Sequence, residues 1–190
     1  MTATVSTPGF SRRRLLIATL LAAGMQTGIL VTMMRGNETV ISTGTPVLLR
    51  TVPVDPRDLF RGDYVVLNYE FSALDSALVT GNWPEAEGEQ RLHVELKPGT
   101  DGSWHPVSAS FGPLMPSDGS VIITSLPFRY VPSPDHPATL RADYGIERYY
   151  VPEGKGKELE EARNARRVMV EVRVTPDGEA RLVDLTVLPE

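Results

Sequence analysis

An uncharged, mostly apolar run at residues 15–34 constrains this chain more than any other feature of its sequence. A helix of that length, rising about 1.5 Å per residue, spans roughly 30 Å, the thickness of a bilayer's hydrocarbon core. Three arginines precede the run and one follows it, which favours a cytoplasmic N-terminus. The sequence therefore predicts a cytoplasmic tail at 1–14, a single transmembrane anchor at 15–34 in contact with lipid, and an extracytoplasmic domain at 37–190.

A cleaved export signal is the alternative interpretation of the same region, because "SRRRLL" resembles a twin-arginine signal. The apolar run is longer than the usual signal core of about 7–15 residues, and no Ala-x-Ala cleavage pattern follows it. These observations favour an uncleaved signal-anchor. Within it, Gly24 and Gly28 have the spacing that lets two membrane helices approach closely, and Gln26 offers a hydrogen bond across the pair. This spacing predicts a weak homodimer.

The charge of the remaining chain excludes one class of partner. The chain after the three N-terminal arginines contains 16 of the 19 basic residues and all 24 acidic ones, which gives it a formal net charge of −8. Nucleic-acid binding needs a basic surface, so no nucleic acid is expected as a partner. The chain has no cysteine, which rules out disulfides, thiolate catalysis and zinc sites built on cysteine. No cofactor is predicted.

Short alternating strands separated by Gly, Pro, Asn and Asp dominate the sequence after residue 37. "QRLHVELK" and "SWHPVSASF" form one predicted hairpin around "PGTDG", with Leu92, Val94 and Leu96 opposite a polar face of Arg91, His93 and Glu95. "RVMVEVRV" and "RLVDLTVL" form a second hairpin around "TPDGEA", and "SVIITSLPFRYV" predicts a strand ending near Pro127. With 16 Gly and 16 Pro, the predicted fold is mainly β, with antiparallel hairpins in a sandwich or partly open barrel.

One short surface helix is expected at "GKELEEARNARR", residues 156–167. Acidic residues occupy its first turn and arginines its last, as the helix dipole favours. Leu159 and Ala162 are its clearest apolar positions. The helix is therefore predicted to lie on the domain surface.

The stretch "RGDYVVLNYEF" has the two-residue period of a strand. This period places Asp63, Val65, Leu67, Tyr69 and Phe71 on one side, which is the predicted core face. An adhesion function for the "RGD" tripeptide would require it to protrude on a loop tip, whereas the predicted strand begins within it. The favoured role of the aspartate is structural.

Five positions carry a resemblance to a known family: Gly62, Asp63, Tyr64, Leu67 and Tyr69 match the motif of the GDYXXLXY family. The flanking "VPVDPRDLFR" and the downstream "YGIERYYVPEGKGKELE" are also similar to that family. The resemblance covers both the anchor and the exported domain. It implies a membrane-anchored bacterial protein without an established activity.

Candidate catalytic and metal-binding residues are few. His93 and His105 lie on opposite arms of the first hairpin and could meet across it, but two imidazoles without a third ligand do not predict a metal site. The strand is similar to the "GD" strand of membrane-anchored signal peptidases, yet the serine of their serine–lysine dyad is missing from the preceding segment. An envelope hydrolase that pairs Asp63 with Glu147 or Glu153 is the alternative function.

The segment "GIERYYVPEGKGKELE" places Tyr149 and Tyr150 beside Arg148. One interpretation is a strand, a turn and a helix cap; the other is a partner-facing edge, because Tyr and Arg are enriched in binding hot spots. Buried or half-buried charges are tolerated when they are paired. We therefore predict that this segment lies beside the motif, with Arg148 pairing with Asp63.

Two further residues, Arg57 and Arg61, are alternative partners for Asp63, and Glu153 is a further pairing candidate near the second segment. The expected function is that of a binding or structural protein of the bacterial envelope. Its expected partner is another membrane or envelope protein.

Overall fold

The computed structural model describes residues 12–53, 64–133, 135–152 and 156–189, with the backbone alone at 33–40. The chain divides into two compact units, Met1–Thr39 and Val40–Glu190. The N-terminal unit contains most of helix α1 (Arg12–Thr43). Within α1, the 21-residue stretch Arg12–Thr32 is long and apolar enough to cross a membrane, and its side chains are exposed. A cleaved export signal near an N-terminus meets the same criteria.

The two glycines of the predicted helix contact lie on α1. Apart from the adjacent residues and the helix's own backbone, no described atom lies within 4 Å of a Cβ added at Gly24 or Gly28. The glycine face is therefore open for a second helix, and self-association stays a prediction.

The second unit contains the end of α1 and, among its described residues, twelve short strands, one further α-helix and two 3-10 helices (Glu70–Ser72 and Ser76–Leu78). The strands are β1 (Thr45–Arg50), β2 (Tyr64–Val66), β3 (Ala73–Asp75), β4 (Gly88–Gln90), β5 (His93–Pro98), β6 (Trp104–Ser110), β7 (Val121–Thr124), β8 (Phe128–Tyr130), β9 (Thr139–Arg141), β10 (Arg148–Tyr150), β11 (Val168–Val174) and β12 (Ala180–Val187), and the helix is α2 (Gly156–Asn164). They form two three-stranded sheets, ordered β1-β11-β12 and β6-β5-β7, and three two-stranded pairs, β2 with β10, β3 with β9 and β4 with β8.

Antiparallel pairing within these sheets confirms the mainly β prediction. Over the described residues the sheets are open and do not close into a barrel. Both predicted hairpins form, β5 with β6 and β11 with β12. The predicted apolar face of β11 is buried along its length, at Val168, Val170, Val172 and Val174.

The predicted strand around "SVIITSLPFRYV" is wrong in its extent. It ends at Thr124, and a separate strand, β8, begins at Phe128. Between the two, the Ser125 amide donates to the Leu92 carbonyl (2.8 Å) and the Leu126 amide to the Asp143 carbonyl (2.6 Å). The chain thus changes partner strand: β7 pairs with β5, whereas β8 pairs with β4.

The prediction that Glu95 belongs to a polar face is also wrong, because its side chain is only 8% exposed. Its carboxylate accepts hydrogen bonds from the Ser108 hydroxyl (2.9 Å), the Ser117 amide (3.1 Å) and the Ser117 hydroxyl. The hydrogen bond from the Ser117 hydroxyl contributes most to lowering the pKa of Glu95 to about 2. Glu95 thus holds the connection between β6 and β7 against the sheet.

Helix α2 ends at Asn164, three residues before the predicted end. Arg166 there adopts a left-handed conformation with φ of 57°, which terminates helical hydrogen bonding. Leu159 and Ala162 are buried as their apolar character suggests, and Arg163 is buried as well. The Arg163 guanidinium donates through Nη1 to the carbonyl of Val66 (2.6 Å). A buried cation therefore ties the surface helix to β2.

Candidate functional site

Two residues of the sequence motif, Leu67 and Tyr69, point into the core of the domain. Leu67 and Tyr69 are 0% and 1% exposed, which confirms the predicted core face for these positions. The Leu67 amide donates to the carbonyl of Glu147 (2.8 Å), and the Tyr69 hydroxyl donates to the carbonyl of Ile146 (2.8 Å). A buried hydroxyl needs such a partner. Both motif residues thus bond to the second family-like segment.

Aromatic packing reinforces this connection. The rings of Tyr69 and Phe71 stack with centroids 5.3 Å apart, and the Phe71 ring meets that of Tyr144 edge-on at 4.7 Å. The Tyr144 hydroxyl donates to the Phe71 carbonyl (3.3 Å). Burial raises the pKa of Tyr69 and of Tyr144 far above the ordinary range, so both hydroxyls remain neutral hydrogen-bond donors.

The two family-like segments lie side by side, as predicted. Strands β2 and β10 pair in antiparallel register, with Tyr64 opposite Tyr150, Val65 opposite Tyr149, and Val66 opposite Arg148. Residues directly opposite each other point to the same side of such a pair. Val65 and Tyr149 therefore face the core, and the other two pairs face outward.

The outward side of this strand pair is a compact aromatic and cationic surface, which we call the Tyr–Arg face: Tyr64, Arg148 and Tyr150. The two tyrosine rings lie 5.9 Å apart and are tilted by 58°. The guanidinium carbon of Arg148 lies 5.6 Å from the Tyr64 ring centroid, within cation–π range. Tyr150 is 71% exposed. Within the described parts of the chain, no carboxylate forms an ion pair with Arg148.

Several predicted site residues lie outside the described residues: Arg57, Arg61, Gly62, Asp63 and Glu153. The pairing of Asp63 with Arg148, and the structural role of Asp63, therefore stay predictions. What the structure brings together is the C-terminal part of the motif, from Tyr64 onward, with Arg148, Tyr149 and Tyr150.

Glu147, one candidate for the paired-carboxylate hydrolase, stabilises a turn. Its carboxylate accepts hydrogen bonds from the amides of Tyr144 (2.5 Å) and Gly145 (2.8 Å). Gly145 has a φ of 81°, a conformation that favours glycine. Burial raises the pKa of Glu147, although the turn amides oppose the shift. Its proposed catalytic partner, Asp63, and the alternative carboxylate, Glu153, both lie outside the described residues.

The two hairpin histidines do not face each other. His93 lies opposite Ser110, near one end of the hairpin, and its Nδ1 is 3.0 Å from the Thr124 hydroxyl. His105 lies opposite Lys97, near the other end. The strand register therefore separates the two imidazoles.

Sequence reasoning missed a polar cluster around His105, which we call the histidine–carboxylate cluster: Glu70, Asp101, Ser103 and His105. Nδ1 of His105 lies 2.9 Å from Oε2 of Glu70, and Nε2 lies 3.2 Å from Oδ1 of Asp101. Hydrogen bonds from Ser103 and His105 hold the pKa of Asp101 well below its usual range. The sequence "TDGSWH" is sufficient to predict the turn at Asp101–Ser103. The contact of His105 with Glu70 joins residues 35 positions apart, so no local sequence pattern predicts it.

In this cluster a serine contacts a histidine that contacts a carboxylate, as in a catalytic triad. The geometry does not support the chemistry of a triad. The Ser103 hydroxyl oxygen is 3.0 Å from Nε2 of His105. The hydroxyl also donates to Asp101 (2.6 Å), and Ser103 is 0% exposed. A nucleophile must reach its substrate and release its proton to the base. Ser103 does neither, so the cluster joins structural elements.

A shallow cleft of about 440 Å³ lies on the β4–β8 pair. Pro127 and Phe128 contribute its apolar lining, while Glu87, Glu89 and Arg129 contribute charge. Glu87 and Arg129 form an ion pair with each other. The polar groups of this cleft are thus partly paired among themselves.

Comparison with known proteins identifies the family. The sequence profile described as "GDYXXLXY protein" matches residues 26–185, a span that includes the last part of the apolar run and almost the whole β unit. No curated protein and no solved structure matches the chain. The match contains the motif residues from which the resemblance was inferred. This chain belongs to the GDYXXLXY family.

Proposed function

We propose that the protein is a single-pass membrane protein whose domain lies outside the cytoplasm and binds another membrane or envelope protein through the Tyr–Arg face. The observation that carries the proposal is the clustering of exposed Arg148 and Tyr150 with half-buried Tyr64 on the outer side of the β2–β10 pair. The core-facing residues of the same two strands are at least half-buried, so we assign recognition to the outer side.

The anchor is supported by the helix Arg12–Thr32, whose side chains are exposed throughout. Twenty-one helical residues rise about 31 Å at 1.5 Å per residue, enough to cross a hydrocarbon core. The three arginines at the start of this stretch favour retention of the N-terminus in the cytoplasm. The domain after residue 37 is then extracytoplasmic.

The chemistry of the Tyr–Arg face supports a protein partner with an acidic, partly apolar segment. Tyrosine offers a large, rigid contact area, and a planar guanidinium can bind a carboxylate through two hydrogen bonds. The face is held in place from behind, because Tyr69 and Leu67 bond to the segment that leads into β10. Such preorganisation lowers the entropic cost of binding.

The topology is tested with alkaline phosphatase fused to the C-terminus of the full-length chain. We expect an active fusion that stays with the membrane after carbonate and high-salt washing, because the enzyme folds only outside the cytoplasm and the anchor remains attached. A reporter that works only in the cytoplasm is the control. Activity of that reporter, with an inactive phosphatase, would reverse the orientation, and release by carbonate would indicate cleavage.

The binding surface is tested by photo-crosslinking in intact membranes. A photoreactive amino acid in place of Tyr150 is expected to give a crosslinked product with a second protein, and Arg148→Glu is expected to remove that product by repelling an acidic partner. The matched control is the same amino acid in place of Met115, which is 85% exposed. Equal products from both positions, or a Tyr150 product unaffected by Arg148→Glu, would contradict the proposed surface.

A further inference from the structure

The histidine–carboxylate cluster connects three parts of the fold. Glu70 begins the 3-10 turn Glu70–Ser72, which directly follows the motif residue Tyr69. Asp101 lies in the turn between β5 and β6, and His105 lies on β6. The imidazole of His105 therefore bridges the β5–β6 hairpin to the turn behind the motif.

The two bridging contacts require both imidazole nitrogens to act as donors. Nδ1 of His105 faces Glu70 at 2.9 Å, and Nε2 faces Asp101 at 3.2 Å. Ionised carboxylates only accept hydrogen bonds, and a neutral imidazole carries a single N–H. Only the imidazolium can donate to both carboxylates, so the cluster is complete in the protonated state alone.

The two carboxylates depend on His105 to different extents. Asp101 also accepts from the Ser103 amide (3.1 Å) and hydroxyl (2.6 Å), and Nη2 of Arg50 on β1 lies 3.6 Å from its Oδ2. Among the described residues, His105 supplies the only hydrogen bond to the Glu70 carboxylate. Lys97 on β5 is the residue paired with His105 across the strands. Neutral His105 therefore retains its remaining proton on Nδ1, and Nε2 becomes an acceptor that can bind the Ser103 hydroxyl (3.0 Å) and no longer donates to Asp101. The contact with Glu70 then weakens from a charge-assisted to a neutral hydrogen bond.

We propose that Glu70, His105 and Asp101 form an acid-strengthened clasp that ties the β5–β6 hairpin to the turn behind the motif and loosens as the pH rises. The clasp holds the turn Glu70–Ser72, which follows the motif residue Tyr69 and contains the core residue Phe71. It stands independently of the binding function proposed above.

The charges around His105 determine the sign of the effect. Hydrogen bonds to Glu70, and then to Asp101, raise the pKa of His105 above its ordinary value, with burial opposing the shift. A group whose folded-state pKa is raised contributes stability that is complete below its unfolded pKa of about 6.5. That stability is lost as the pH rises through the folded value. The side chains are 37% to 48% exposed, so the expected effect is local rather than global.

Proton binding is measured directly by NMR on the full-length chain in detergent micelles with labelled histidine. The chain has three histidines, which single His→Gln variants assign. We expect His105 to titrate above the ordinary histidine value and Glu70→Gln to lower its midpoint. His93 is the internal reference, because burial lowers its pKa and it lies at the opposite end of the β5–β6 hairpin from His105. An ordinary His105 midpoint, or one unaffected by Glu70→Gln, would overturn the clasp.

Loosening of the turn Glu70–Ser72 at higher pH is measured by amide hydrogen exchange on the same sample. The Ser72 amide, which donates to the Tyr69 carbonyl (3.0 Å), reports on the turn. Its protection factor, corrected for the intrinsic exchange rate, is expected to fall about threefold or more between about pH 6 and about pH 8.5. In Glu70→Gln and His105→Gln the protection factor should be independent of pH. The Thr175 amide, which donates to the Glu179 carbonyl (2.9 Å) in the β11–β12 turn, should show no change in any variant. Equal pH dependence in the wild type and both variants would show a purely structural cluster.

Discussion

Replacing Leu67 by alanine is expected to lower the free energy of unfolding by about 2–5 kcal/mol. The side chain is 0% exposed and belongs to the main hydrophobic core. Alanine would leave a cavity next to the contact between the motif strand and the segment before β10, which surrounding residues can fill only in part. The change is measured by urea unfolding of the full-length chain in detergent micelles, followed by circular dichroism.

Asn68→Ala is the matched control, one residue away. Asn68 is half-buried, and it contributes to pairing through its backbone, whose carbonyl accepts from the Val52 amide (2.8 Å). Alanine retains that bond, so we expect a change within about 0.5 kcal/mol. Similar losses for the two variants would show that the inward register of Leu67 does not control the stability of this region.

Long hairpins were predictable because their side chains alternate over many residues. The valine positions of β11 repeat every second residue between turn sequences, and each of the four is buried. The same period identified Val65, Leu67 and Tyr69 as core positions, although the strand itself is only three residues long. The two-residue period therefore predicted which side chains face inward more accurately than it predicted where the strands end.

The features missed by the sequence analysis depend on distant contacts. Strands β3, β4, β8 and β9 have three residues each, too few for an alternating pattern to be recognised. Glu95 occupies a polar position of the hairpin pattern but is buried by serines 13 and 22 residues away. The contact of His105 with Glu70 likewise follows from the packing of separate elements. Local sequence carries no information on such pairs.

The tight hairpin turn at Gly178 provides the second large expected effect. Gly178→Ala should destabilise the domain by about 2–5 kcal/mol, which combines backbone strain with steric overlap. Gly178 has a φ of 88°, and an added Cβ would lie 2.2 Å from Oγ1 and 3.1 Å from Cβ of Thr124. Thr124 cannot move away freely, because its amide donates to the Gly178 carbonyl (2.9 Å) and its hydroxyl lies 3.0 Å from Nδ1 of His93. Urea unfolding of the full-length chain measures the loss.

Gly102→Ala separates the two causes, because Gly102 has a similar φ of 80° and, among the described residues, no atom within 4 Å of an added Cβ. Backbone strain alone should cost about 1–2 kcal/mol there. The excess at Gly178 should shrink in the double variant Gly178→Ala/Thr124→Ala, compared with the sum of the single variants, since the overlapping hydroxyl is gone. If Gly102→Ala costs as much as Gly178→Ala, or if the two changes at 178 and 124 are additive, the contact between the β11–β12 turn and β7 does not limit the size of residue 178. A non-additive result would instead establish that the second hairpin is locked onto the sheet of the first through this glycine.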